Sequence, residues 1–218
     1  MAKWTKESAL AEMARTGVVA IVRVPESARL VQVVEALADG GVSCIEITMT
    51  TPDALEVIHA AARAIGGRAC IGVGSVLDGA TARAAILAGA EFVVGPAVSE
   101  EMIRTAHRYG KAVIPGAFTA TEIVRAWEAG ADVVKLFPAS IGGPDYFKAL
   151  KGPLPQIRLT PTGGVNLKTA ADFIRAGAEF LGVGGELVKK DDVAQGNFDA
   201  LRERAAEYIK IVKEARGL

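Results

Sequence analysis

Histidine is nearly absent from this chain of 218 residues, which has only His59 and His107. His59 falls in the helical run PDALEVIHAAARAIG and His107 in SEEMIRTAHRYG. Neither has a second His, a Cys or a carboxylate at ligand spacing on a neighbouring loop. That argues against a histidine-built zinc or iron site and against a Ser-His-Asp triad. No metal and no cofactor is expected. Cysteine is just as scarce: Cys44 and Cys70 lie in the apolar stretches VSCIEIT and ACIGVG. Such surroundings suit small buried hydrophobes rather than a disulfide or a metal ligand.

Net charge is missing too, with 25 Lys+Arg against 25 Asp+Glu. Without a long-range field, neither nucleic acid nor an anionic membrane is an expected partner, although a few local groups could hold a small anionic molecule. Nowhere do about 18 apolar residues follow one another. The opening MAKWTKESALAEMARTG is an amphipathic helix of mixed charge, without an apolar signal core. A cytoplasmic location is the expectation.

What the chain does have is a repeat. LADGGVSCIEI (37–47), ILAGAEFVVG (86–95), AWEAGADVVKLF (126–137) and FIRAGAEFLGVG (173–184) each read as a helix end, a Gly, a short link and an apolar strand. Weaker copies are RTGVVAIV, IGGRACIG and RYGKAVIP, and IRLTPT (157–162) adds an eighth strand. The glycines suit a left-handed helix C-terminus. Near-continuously apolar strands are buried on both faces, hence parallel and covered by helices. Eight such units predict a (β/α)8 TIM barrel; an open doubly wound sheet is the alternative. The expected organisation is a single domain over 1–218, with an extra N-terminal helix at 1–16, the barrel at 17–188 and a C-terminal helix at 197–216. Helix starts are predicted at Thr51-Pro52-Asp53 and at the capping box Thr119–Glu122.

In such a barrel the chemistry sits at the C-terminal strand ends. Three charged residues interrupt those ends: Arg23 in IVRVP, Glu46 in IEITMTTP and Lys135 in VKLFPA. Strand alternation turns all three toward the interior. Each could instead reach solvent or form a structural ion pair. Two glycine-rich loops, Thr162-Gly163-Gly164-Val165-Asn166 and Gly182-Val183-Gly184-Gly185-Glu186, follow the seventh and eighth strands, where barrels often hold a phosphate on backbone N–H groups. Gly72-Val73-Gly74-Ser75 after the third strand lacks the rest of a dinucleotide fingerprint.

An amine in a water-poor barrel favours its neutral form, which can attack a ketone to give a Schiff base. A nearby carboxylate would shuttle the protons. Lys135 and Glu46 fit these two roles.

The motifs IEITMTTP, GVGSV, VKLFPA and PTGGVN, in this order, make the whole chain resemble the 2-keto-3-deoxy-6-phosphogluconate (KDPG) / 4-hydroxy-2-oxoglutarate (KHG) aldolase family. The resemblance implies a class I aldolase that releases pyruvate and glyceraldehyde 3-phosphate, with Lys135 as the Schiff-base residue, Glu46 as acid/base and a homotrimeric assembly. It implies that Ser75 holds the pyruvyl carboxylate, that Pro96 and Phe137 form the pocket wall, and that Gly163 and Gly164 form the phosphate loop; Thr162, Gly184 and Gly185 are further substrate-binding candidates from the two glycine-rich loops. Two departures stand out. Thr50 replaces an arginine common in the family, leaving Arg23 as the cation at hand, and Gly185 replaces a loop serine. Non-phosphorylated 2-keto acids, or the galactonate epimer, thereby enter as substrates. An isomerase using Glu46 without a covalent intermediate, and a catalytically silent trimer, are the competing readings.

Overall fold

The glycines that close the repeats take the predicted backbone. Gly89 has φ 118° and Gly130 φ 100°, values at which a side chain would be strained, and each ends a helix just before an apolar strand. This computed structural model describes residues 4–23, 29–65 and 67–218. Met1 to Lys3 of the predicted first helix, and Val24 and Pro25 of the first strand end, lie outside them.

The chain alternates helices and strands. It runs α1 (Lys6–Thr16), β1 (Val18–Val22), α2 (Leu30–Asp39), β2 (Cys44–Thr48), α3 (Ala54–Ile65), β3 (Cys70–Gly74) and α4 (Gly79–Ala88). Then come β4 (Phe92–Val94), α5 (Glu100–Arg108), β5 (Ala112–Ile114), β6 (Gly116–Ala117) and α6 (Ala120–Glu128). The last third holds β7 (Val134–Leu136), α7 (Gly143–Lys151), β8 (Leu159–Pro161), α8 (Ala170–Arg175), β9 (Leu181–Val183), α9 (Lys190–Gln195) and α10 (Phe198–Arg216).

All strand pairs are parallel, and the fold is α/β around a curled parallel sheet. Two segments make it up, ordered β5-β4-β3-β2-β1-β9 and β6-β7-β8, rather than one continuous ring of eight strands. The predicted fifth strand is interrupted at Pro115, which has no N–H for a ladder. Its carbonyl still accepts from Lys135 N at 2.9 Å, so the segments stay in register there. At the other joint Glu179 N donates to Leu159 O at 2.9 Å, and Thr162 bridges Gly182.

Strand alternation sorts the core into two layers. Outward residues such as Val18, Ile45, Val73 and Leu136 pack with the helices. Inward residues Val19, Cys44, Cys70, Phe92, Ala112, Val133 and Phe180 form a second cluster, covered by Ala9, Leu10 and Met13 of α1. Most of these inward residues lie at or just before the starts of their strands, with Val94 and Ile114 above them, so α1 covers the floor and leaves the C-terminal ends as the mouth. Both cysteines are free and buried in the floor. Contact with Cys70, and then burial, push the Cys44 thiol well above its ordinary value, which keeps it neutral.

Caps follow the sequence in one case and depart from it in another. Thr119 and Glu122 form the predicted capping box of α6. The predicted cap at Thr51-Pro52-Asp53 is instead a turn with Asp53 at φ 53°, and α3 starts only at Ala54. Thr51 N donates to Thr48 O at 2.9 Å and the Thr51 hydroxyl lies 3.4 Å from that of Thr48, which ties the segment to the end of β2.

Candidate active site

Glu46 and Lys135 occupy middle positions of β2 and β7, and both are buried, at 2% and 6% exposure. Their strands present alternate residues inward, so both side chains enter the space enclosed by the curl, above the apolar floor. There they line a cavity of about 10 Å³ together with Ile114, Thr160, Thr162 and Gly182. The Lys135 ammonium lies 4.9 Å from the centroid of the Phe137 ring, two residues on, within reach of its negative face. Thr160 does not compete for either group, because its hydroxyl donates to Phe180 O at 2.7 Å.

Burial pushes the Glu46 carboxyl above its ordinary value of 4.5. Lys135 and Arg23 pull it back only in part. A carboxyl so held gives up and regains a proton nearer neutrality than a solvated one, which suits acid/base work.

Above this cavity lies an open cleft of about 530 Å³. It brings together Arg23, Phe137, Thr162, Gly163, Gly164, Gly184 and Gly185 from the predicted set, with Gly182 and Thr162 common to both spaces. Gly163 and Gly164 have φ 83° and 79°, and a Cβ on Gly164 would press on the backbone and side chain of Ser140. A Cβ on Gly185 would meet nothing within 4 Å, so that glycine leaves open space at the cleft wall. The loop after β9 is held from outside. Arg204 donates to Leu187 O at 2.6 Å and pairs with Asp192 at 2.7 Å, while Leu187 N and Val188 N close a turn on Gly184 O at 2.9 Å.

Thr50, Ser75 and Pro96 stand at strand ends on the same side of the sheet but line neither space. Thr50 is exposed and its hydroxyl lies 2.9 Å from that of Thr48. Ser75 is half-buried with φ 60°, an uncommon backbone for a residue with a Cβ. Pro96 is half-buried against Gly116. Sequence reasoning passed over Lys189 and Lys190, which line the cleft beside Glu186 and Asp191. Their signal was the charged run KKDD, two residues after the second glycine loop. Among the described residues, no group of three or more His, Cys, Asp or Glu side chains is placed to hold a metal, and no helix is long and apolar enough to cross a membrane.

Residues 10–204 match the profile of the aldolase family described as KDPG and KHG aldolase. The chain is 38% identical over 183 residues to the 2-dehydro-3-deoxy-6-phosphogalactonate aldolase of Escherichia coli K12, covering 84% of this chain and 87% of that one. It is 36% identical over 198 residues to the 2-dehydro-3-deoxy-phosphogluconate aldolase of Pseudomonas aeruginosa, covering 90% and 89%. The crystal structure of KDPG aldolase from Legionella pneumophila, with pyruvate captured as a covalent carbinolamine, superposes with a TM-score of 0.85 at 26% identity, covering 91% of this chain and 96% of that one. Motif order, buried Lys/Glu pair, profile and relatives agree, and the chain belongs to the KDPG and KHG aldolase family.

Proposed function

We propose that this protein is a class I aldolase that cleaves 2-keto-3-deoxy-6-phosphogluconate to pyruvate and glyceraldehyde 3-phosphate, with Lys135 as the Schiff-base nucleophile and Glu46 as the proton carrier. One observation carries the assignment of roles: a buried lysine and a buried glutamate from strands that are not neighbours line the same small cavity, just beneath an open cleft.

The chemistry follows from the two groups. The neutral Lys135 amine adds to the C2 carbonyl, giving a carbinolamine, and loss of water leaves an iminium ion. Glu46 as carboxylate takes the proton of the C4 hydroxyl. The C3–C4 bonding pair moves toward the iminium nitrogen, and the aldehyde departs. The resulting enamine takes a proton at C3 from Glu46, and water releases pyruvate and the free amine. A cavity of about 10 Å³ holds about one water molecule and not a keto acid. The reacting carbons therefore sit where cavity and cleft meet, at Thr162 and Gly182, with the phosphorylated end along Gly163, Gly164, Gly184 and Gly185. Arg23 supplies a cation at that wall. Ser75, Thr50 and Pro96 act from the rim, Ser75 on the substrate carboxylate and Pro96 with Phe137 as pocket wall.

The same site accommodates 4-hydroxy-2-oxoglutarate, which yields pyruvate and glyoxylate by the same steps. The galactonate epimer is a further candidate, given the relative that carries its name. The two sheet segments and their joints support one closed (β/α)8 barrel in a single domain, with α1 as the extra N-terminal helix. The working form in this reading is a cytoplasmic homotrimer.

Borohydride reduction in the presence of pyruvate, followed by peptide mass spectrometry, tests the assignment. A pyruvyl adduct on the peptide containing Lys135 is expected. Folded protein without an adduct would replace the aldolase with a non-covalent isomerase using Glu46.

A further inference from the structure

Gly74 ends β3 opposite Thr48 of β2, in the parallel register that also pairs Glu46 with Gly72. It is not among the glycines with positive φ. Its backbone makes no demand for glycine, and a glycine inside a strand weakens it. The demand comes from the neighbouring strand. A Cβ built on Gly74 would fall within the Glu46 carboxyl, overlapping Oε1 and Cδ, and would lie 2.6 Å from Cγ. The Glu46 side chain thus rests on the Gly74 backbone, in the volume a side chain at position 74 would take. Gly72 makes a parallel provision lower down, where an added Cβ would collide with the ring of Phe92, itself part of the floor. The two inward glycines of CIGVG therefore seat two different neighbours, an aromatic plug below and a carboxyl above.

We propose that Gly74 is a positioning residue for the aldol reaction, its missing Cβ fixing where the Glu46 carboxyl stands relative to the Lys135 amine. Glu46 is 2% exposed and packed among strands, so a methyl group at position 74 leaves the carboxyl only the shared cavity to move into. There it would stand off the position from which it exchanges a proton with the substrate carbons. The proposal rests on the proton-carrier role of Glu46 given above.

A double-mutant cycle tests it, read as exchange of the pyruvate methyl protons with solvent deuterium. Gly74→Ala in the wild-type background should slow exchange by about 10²–10⁴-fold, the range of a lost general acid/base. In a Glu46→Ala background, where no carboxyl remains to be displaced, the same substitution should leave the residual rate within about threefold, since the two sites act as one unit. Equal losses in both backgrounds, or wild-type exchange in Gly74→Ala, would overturn the proposal. If Gly74→Ala does not fold, the question passes to stability. Adding Glu46→Ala should then restore folding, and a double variant that stays unfolded also overturns the seat. Borohydride trapping on the wild-type protein separates the two readings. No wild-type adduct defeats the aldolase assignment, whereas a wild-type adduct with additive losses defeats only the role of Gly74.

Discussion

Glu46 and Lys135 line one small cavity although their strands, β2 and β7, lie in different hydrogen-bonded segments of the sheet. No local turn or helix brings them together. Their meeting depends on the curl of the sheet, which brings the two segments face to face.

Lys135→Met keeps the aliphatic stem and removes the ammonium. Turnover and the borohydride adduct should both disappear. The thermal midpoint should hold or rise, because the apolar replacement removes a polar head group from a buried position. Retained turnover in folded Lys135→Met would remove this lysine from the mechanism.

Glu46 makes stability depend on pH in a direction that can be worked out. Its folded-state value is raised by burial above the ordinary 4.5. The stabilising contribution is therefore fully present below the unfolded value and is lost as pH rises through the folded one. Glu46→Gln carries no charge at any pH. It should melt above the parent at about pH 8, and the gap should narrow toward about pH 4. Thermal melts across that range decide the matter: a gap independent of pH would mean that the buried carboxyl is not the cause.

Tyr208 in α10 is fully buried, and its hydroxyl has no hydrogen-bond partner among the described residues. A buried hydroxyl left unpaired costs about 1–3 kcal/mol, so Tyr208→Phe should raise the unfolding free energy by about 1 kcal/mol. Denaturant titration reads the change directly. A fall in stability would show that the hydroxyl is satisfied in solution.

Arg204 holds the loop after β9 through Leu187 O and Asp192, and both side chains of the ion pair are largely buried. Hydrogen bonds from charged groups contribute about 1.5–3 kcal/mol, enough for at least a tenfold change in an equilibrium. Arg204→Met should raise KM for the phosphorylated substrate by about tenfold, with a smaller effect on kcat. Steady-state kinetics with an unchanged KM would show that the loop keeps its shape without this anchor.

Much of this architecture was legible because the repeat carries its own punctuation. Gly89 and Gly130 mark helix ends by chemistry, and inward parity in short strands is a matter of counting, which led to Glu46 and Lys135. The break in the fifth strand was harder to see. Pro115 reads as a simple terminus, yet the strand resumes at Gly116, where a Cβ would strike the Pro96 carbonyl. Thr51-Pro52-Asp53 was misread because the capping pattern is the same whether a helix starts at once or after a left-handed residue. Gly74 was hidden for a deeper reason: its role lies in a neighbour on another strand, and one-dimensional spacing does not reveal who leans on whom.

The two helices at the ends of the described chain are stitched together on the closed side of the molecule. Arg216 of α10 donates to Ala14 O of α1 at 2.7 Å and to Glu179 O at 2.8 Å. Since α1 covers the floor, a bead, electrode or carrier protein joined beyond either helix would grip the molecule from behind. The cleft lined by Phe137, Gly163 and Gly184 would face outward, open to solvent, whichever helix served as the handle.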